Sequence, residues 1–245
     1  MVRYLALLIL FSISVVNSKH LPSFIKPCKK SDPEFKKCVK DNAIDALPYI
    51  LKGDSMSRIP NYLPFEVPLV ATTATQGLDL QLHDLKLYGM NTTKIEEVDF
   101  DLDKQHIYVK VFIPDSTSES NYTVEGKLFS FVINDKGPAK TRIENLTVEY
   151  TIDYQLVTKR DGKRYIDIDS LKNKLDMHIG KGYYYFGNLF GGNKALTDNF
   201  NQVLNENSKD VDDISKDGMR SLIASMVSGL FSAIFKIPYD EIFID

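Results

Sequence analysis

Between Leu78 and Leu156 apolar residues return at every second position in several runs, and after Gly192 they return at every third or fourth. The first spacing belongs to strands with one buried face, the second to helices. Leu78, Leu80 and Leu82 alternate with polar neighbours, slip phase at His83-Asp84 and resume with Leu85 and Leu87, which predicts a strand with a bulge. Ile107, Val109, Val111 and Ile113 form a second run, and Phe129, Phe131 and Ile133 a third. The longest goes from Leu146 through Val148, Tyr150, Ile152 and Tyr154 to Leu156, eleven residues that would extend about 36 Å. An Asp-Gly pair within Lys159–Lys163 predicts a hairpin turn into Tyr165, Ile166 and Ile168, and Leu175, Met177 and Ile179 continue the sheet.

Asp32-Pro33-Glu34 has the order of a helix start, with Asp32 as N-cap and Pro33 in the first helical position. Phe35, Val39, Ala43, Ala46 and Ile50 then predict an amphipathic helix that ends at Lys52-Gly53 and is kinked by Pro48. Pro60, Pro64 and Pro68 predict an extended connector over Arg58 to Leu69. Helical spacing from Leu196 to Phe235 would give about 63 Å of helix if unbroken, with Lys216-Asp217-Gly218 as the expected bend. Its second half, Leu222 to Phe235, is apolar or small on every face and must be wrapped by other structure, yet it is too short to span a bilayer. The pattern therefore predicts an α+β fold, a long curved antiparallel sheet wrapped around a long C-terminal helix. Periodicity leaves open whether the interior is a solid core or a tunnel.

Composition narrows the setting. With 30 Lys+Arg against 33 Asp+Glu in 245 residues, the chain lacks the basic excess of a nucleic-acid binder. Arg3, the apolar run Tyr4 to Val16 and Val16-Asn17-Ser18 predict a secretory signal peptide over residues 1–18. A single domain, 19–245, would remain, with 29 basic and 33 acidic residues and a net charge of −4. In an oxidising compartment Cys28 and Cys38 are expected to pair, which stabilises by roughly 2 to 3 kcal/mol. Asn91, Asn121 and Asn145 each begin an Asn-x-Ser/Thr acceptor and should lie on the surface as glycosylation sites. The four histidines, His20, His83, His106 and His178, have no ligand spacing, so neither a metal nor a cofactor is expected.

Several local features resemble one family. Leu204-Asn205-Glu206-Asn207, the approach Asn188-Leu189-Phe190-Gly191-Gly192, the ending Ile237-Pro238-Tyr239-Asp240-Glu241-Ile242-Phe243 and the Cys28/Cys38 pair before the first helix are similar to the takeout and haemolymph juvenile hormone-binding proteins of insects. The single cysteine pair is closer to the takeout branch. The resemblance implies a TULIP-like fold, with the curved sheet and long helix enclosing an elongated hydrophobic tunnel. It also implies a secreted carrier of a terpenoid such as juvenile hormone, or of a fatty acyl lipid, in circadian, feeding or chemosensory signalling.

The residues expected to face a ligand come first from the strands: Leu78, Leu80 and Leu82, then Val109 and Val111, then Phe129 and Phe131. Val148, Tyr150, Ile152 and Tyr154 follow from the longest strand, and Leu222, Met226, Leu230 and Phe231 from the helix. The hydroxyls of Tyr150 and Tyr154 would bond either a ligand oxygen or a neighbouring backbone carbonyl. No nucleophile elbow, zinc-protease motif or phosphate loop is present, so the expected partner is a small hydrophobic ligand, without catalysis, nucleic acid or stable membrane insertion. The alternative is a secreted interaction protein acting through the aromatic run Tyr183-Tyr184-Tyr185-Phe186.

Overall fold

The computed structural model describes residues 21–56, 58–72, 77–168 and 173–245; the segment 1–18, expected to be a signal peptide, and His20 lie outside them. Two very long antiparallel strands, β5 (His106–Leu128) and β6 (Phe131–Thr158), form the spine of the sheet. Together they absorb the second, third and longest alternating runs. Phe129 and Ser130 make the two-residue turn between them, and Phe129 takes a φ of 54° to do so.

Each long strand is creased at the same level. Inward-facing positions run 107, 109, 111 and 113 on β5 and then shift to 116 and 118; on β6 they shift from 143 to 146. Pro114 cannot donate to the ladder, and Asn145 on the neighbouring strand sits at φ 55°. On the third strand Gly180 leaves room, since a Cβ there would lie 2.8 Å from that of Asn145. Because all three strands slip together, the register is the same on both sides of the crease, from Ile113 with Leu146 to Asp115 with Glu144. The slip and the polar sequence Pro114–Lys127 hide a continuous strand from a search for strict alternation.

The remaining strands flank this spine. β2 (Phe65–Thr72) pairs with β3 (Leu78–Tyr88), and β3 with the second half of β5. The expected bulge lies between His83 and Lys86, with Asp84 at φ 52°. Part of the expected proline connector is thus a strand. β2 is an edge, and its pairing passes from Val67 to Leu69 around Pro68, whose missing N–H costs no ladder bond there. β4 (Lys94–Asp101) pairs with the first half of β5, β7 (Arg164–Ile168) returns from the Asp161-Gly162 turn onto the end of β6, and β8 (Lys174–Phe186) pairs with its middle.

The helices close the concave side. α1 (Phe35–Lys52) starts two residues later than the sequence suggests, because the Asp32 carboxylate accepts the Glu34 N–H and its carbonyl the Phe35 N–H, forming a turn ahead of the helix. Pro48 lies within it. The C-terminal helical stretch is two helices, α2 (Lys194–Glu206) and α3 (Ser208–Ile234), parted at Asn207 and not at Lys216-Asp217-Gly218. The Asn207 amide donates to the Val203 carbonyl at 2.8 Å in competition with the helix ladder, whereas Gly218 stays helical inside α3. α3 is about 40 Å long.

Two motifs that carried the family resemblance have structural work. Asn201 and Asn205, one helical turn apart on α2, each bond both backbone groups of an edge residue of β8, Phe186 and Tyr184 respectively, at 2.8–2.9 Å. The side chains stand in for a further strand and close an edge that would otherwise be open. At the other end, α4 (Tyr239–Ile242) and β9 (Phe243–Ile244) bring Ile237, Tyr239, Ile242 and Phe243 into a core with Phe35, Phe100 and Ile152. Asp240 and Glu241 face outward and pair with Arg164 and Lys163. β9 runs parallel to β1 (Cys28–Lys29), and the Cys28–Cys38 disulfide ties β1 to α1.

Candidate functional site

Sheet and helices enclose a cavity of about 500 Å³, the size of a small-molecule site. β3, β4, β5, β6 and β8 form its curved wall, and α1 and α3 cover it. The all-apolar half of α3 explains itself: Leu222, Met226 and Leu230 pack along the core and face this space, which leaves them half-buried. The interior that periodicity could not resolve is hollow.

The expected ligand-facing residues divide. Leu80, Leu82, Val109, Val111, Val148 and Tyr150 line the cavity from the sheet, and Leu222, Met226, Leu230 and Phe231 line it from α3. Five lie elsewhere. Leu78 is packed in the core at the start of β3. Phe129 is exposed in the hairpin turn, because that turn's positive φ takes it out of the strand alternation. Phe131 packs against Phe190 and Phe200, with ring centres 5.9 and 5.2 Å away. Ile152 and Tyr154 belong to the solid core beside the C-terminal segment.

The walls the sequence reading missed are α1, which contributes Val39, Ala43, Leu47 and Ile50, and β4, which contributes Ile95 and Val98. The helical spacing of the α1 residues was the available signal, but spacing does not say which element a face meets.

Polar groups on this lining are few. Lys26 is its one charged residue among those described, and it pairs with Asp45 at 2.9 Å. The Tyr62 hydroxyl donates to the Met226 carbonyl at 2.9 Å, and burial pushes its pKa up to about 12. Tyr150 accepts from the Asn173 amide at 3.3 Å and Tyr184 donates to Asp212, a carboxyl whose pKa burial raises. Tyr154, buried beside Phe100 and without a well-placed hydrogen-bond partner, does not reach the cavity.

His83 meets Thr123 at 3.1 Å, His106 meets Asp153 at 2.7 Å and His178 is exposed, so none of these histidines lines the cavity. No cluster of possible metal ligands occurs among the described residues. Asn91, Asn121 and Asn145 are all exposed. The aromatic run is split by strand alternation: Tyr184 and Phe186 line the cavity, Tyr185 points outward, and Tyr183 lies under the Lys181 ammonium. It is not one exposed patch. No helix among the described residues is long and apolar enough to cross a membrane.

The family model described as haemolymph juvenile hormone binding protein (JHBP) matches residues 5–244. The chain is 29% identical over 134 residues to the circadian clock-controlled protein daywake of Drosophila melanogaster, a match that takes in 53% of this chain and half (50%) of that protein. It is 24% identical over 240 residues to the daywake protein of Drosophila yakuba, covering 92% of this chain and 89% of that one. The crystal structure of Epiphyas postvittana Takeout 1 has the same fold, with a TM-score of 0.79 and 23% identity over 90% of this chain and 100% of that one.

Proposed function

The chain belongs to the haemolymph juvenile hormone binding protein family, and from that premise we propose that it is a secreted carrier holding one small, elongated hydrophobic ligand in its cavity. The observation that carries this reading is a space of about 500 Å³ whose walls are predominantly apolar. A close-packed protein interior does not leave such a space without cost, and a dry apolar cavity is a binding site for an apolar guest. A ligand burying about 400 Å² of apolar surface would gain on the order of 10 kcal/mol before immobilisation costs.

Secretion after removal of residues 1–18, and a mature single domain 19–245, complete the proposal. The Cys28–Cys38 disulfide and three exposed glycosylation acceptors support it. Terpenoids such as juvenile hormone and fatty acyl lipids both suit the cavity, which would act as a tunnel for an extended chain. The name of the daywake relatives supports a place in circadian-controlled physiology, with feeding and chemosensory signalling as the other settings proposed.

The test is secretion from insect cells, followed by native mass spectrometry and organic extraction of what travels with the protein. A stoichiometric lipid, or saturable uptake of a long-chain lipid by the stripped protein, is expected. A secreted, folded protein that carries nothing and takes up no long-chain lipid overturns the carrier reading.

A further inference from the structure

Past the crease the inner face of the sheet changes character. On β5 the cavity-facing residues are Ile107, Val109, Val111 and Ile113 before it, and Ser116 and Ser118 after it. Ser118 stands directly opposite Thr141 on β6, and Thr141 directly opposite Tyr184 on β8. Ser215, one turn on from Asp212 along α3, faces the same space. The hydroxyls of Ser116, Ser118 and Thr141 make no side-chain hydrogen bond among the described residues and are open to the cavity. The charged residues at this level, Asp115, Arg142 and Glu144, pair with one another on the outer face.

Unpartnered hydroxyls on a cavity wall cost stability unless something meets them, and a chain seeking only an apolar tunnel would place alanine or valine at these positions. We propose that this hydroxyl belt is a subsite for an uncharged oxygen function of the bound lipid, an ester, ketone or alcohol, which accepts from Ser116, Ser118 or Thr141 while its hydrocarbon lies along the apolar half. The inference rests on the carrier reading and adds where the polar group sits and what charge it has. Tyr184 borders the belt and donates to Asp212, and Lys26, the one charged residue on the cavity lining among those described, is paired with Asp45. A free carboxylate would therefore approach a carboxyl group and find no unpaired cation on the described lining, whereas a neutral carbonyl meets donors.

The experiment is displacement of N-phenyl-1-naphthylamine by a long-chain methyl ester, its free carboxylate and the n-alkane of matching length, each delivered from cyclodextrin. Wild type is compared with Thr141→Val and with the triple variant S116A/S118A/T141V. The ester should displace the probe about tenfold better than the alkane, and better than the carboxylate, because a site built to bond an oxygen rejects the analogue that lacks it. The triple variant should bring the ester-to-alkane ratio close to one. Equal displacement by ester and alkane in wild type, a carboxylate as good as the ester, or an unchanged ratio in the triple variant overturns the subsite while leaving the carrier intact. Failure of the probe and every lipid to bind wild type overturns the carrier reading, and the subsite with it. The wild-type ratios decide the matter even where the triple variant does not fold.

Discussion

Ile152 and Val148 lie four residues apart on the inner face of β6, yet they face different surroundings. Ile152 has 0% exposure and belongs to the core of Phe35, Phe100, Phe235, Tyr239 and Phe243, while Val148 lines the cavity. Both are β-branched or branched aliphatics in the same alternating run, paired with Ile107 and Val111 of β5. The strand does not distinguish them. The difference comes from what arrives on the concave side: the start of α1, the end of β4 and the C-terminal segment deliver aromatic rings at one end, and the middle receives aliphatic side chains of α1 and α3 that do not meet across the gap. The solid end is fastened by the disulfide, the β1–β9 pair and the ion pairs of Asp240, so its packing also anchors both termini of the described chain.

Mutations at the two levels should behave differently. The largest effect is expected for Ile152→Ala, a truncation in a filled core that should cost about 3 kcal/mol in chemical denaturation, while Leu230→Ala on the cavity wall should cost about 1 kcal/mol. Equal costs would mean that the middle is as tightly packed as the end. Replacing both Cys28 and Cys38 with serine should cost roughly 2 to 3 kcal/mol, with hydrogen exchange rising first in β1, β9 and the start of α1. If protection falls instead around the cavity, the disulfide supports the hollow region and not the solid one.

Val111→Phe puts volume into empty space. It should leave stability within about 0.5 kcal/mol of wild type but weaken probe and lipid binding about tenfold, where a comparable enlargement in the filled end would overpack it. The smallest effect concerns the latch. Arg164, with Lys30, holds the Asp240 carboxyl below the usual carboxylate range. A depressed folded-state pKa contributes stability above the ordinary carboxylate value, and that contribution is lost as pH falls through the folded one. Because the pair is half-exposed, Asp240→Asn should cost less than about 1 kcal/mol at neutral pH, and the gap between variant and wild type should close below about pH 4. A gap that persists in acid would assign the effect to packing of the C-terminal segment, not to charge.

Much of this was legible in the residues. The bulge at His83-Asp84, the Asp161-Gly162 turn, the paired cysteines and the inward parity of Val109 to Ile113 and Leu146 to Leu156 follow from short-range rules of strand geometry and turn chemistry. What escaped had competing signals. Pro68 argued against a strand that is allowed because it is an edge, and the simultaneous slip at Pro114, Asn145 and Gly180 erased the alternation in stretches whose register nonetheless carries across the crease. Lys216-Asp217-Gly218 had the composition of a break, but the glycine is buried within a helix held from both sides, and the break fell at Asn207, whose own amide takes a helix carbonyl.

By itself the sequence determined the period of each element, which face of it is apolar, and the family whose order of elements it shares. It could not determine whether opposing apolar faces touch. That depends on the curvature of two long strands and on the distance at which α1 and α3 come to rest across them, and both are set by residues far apart in the chain. Aliphatic side chains that meet make a core. The same side chains held apart by the crease and the aromatic end make a cavity, and only the tertiary structure fixes that separation.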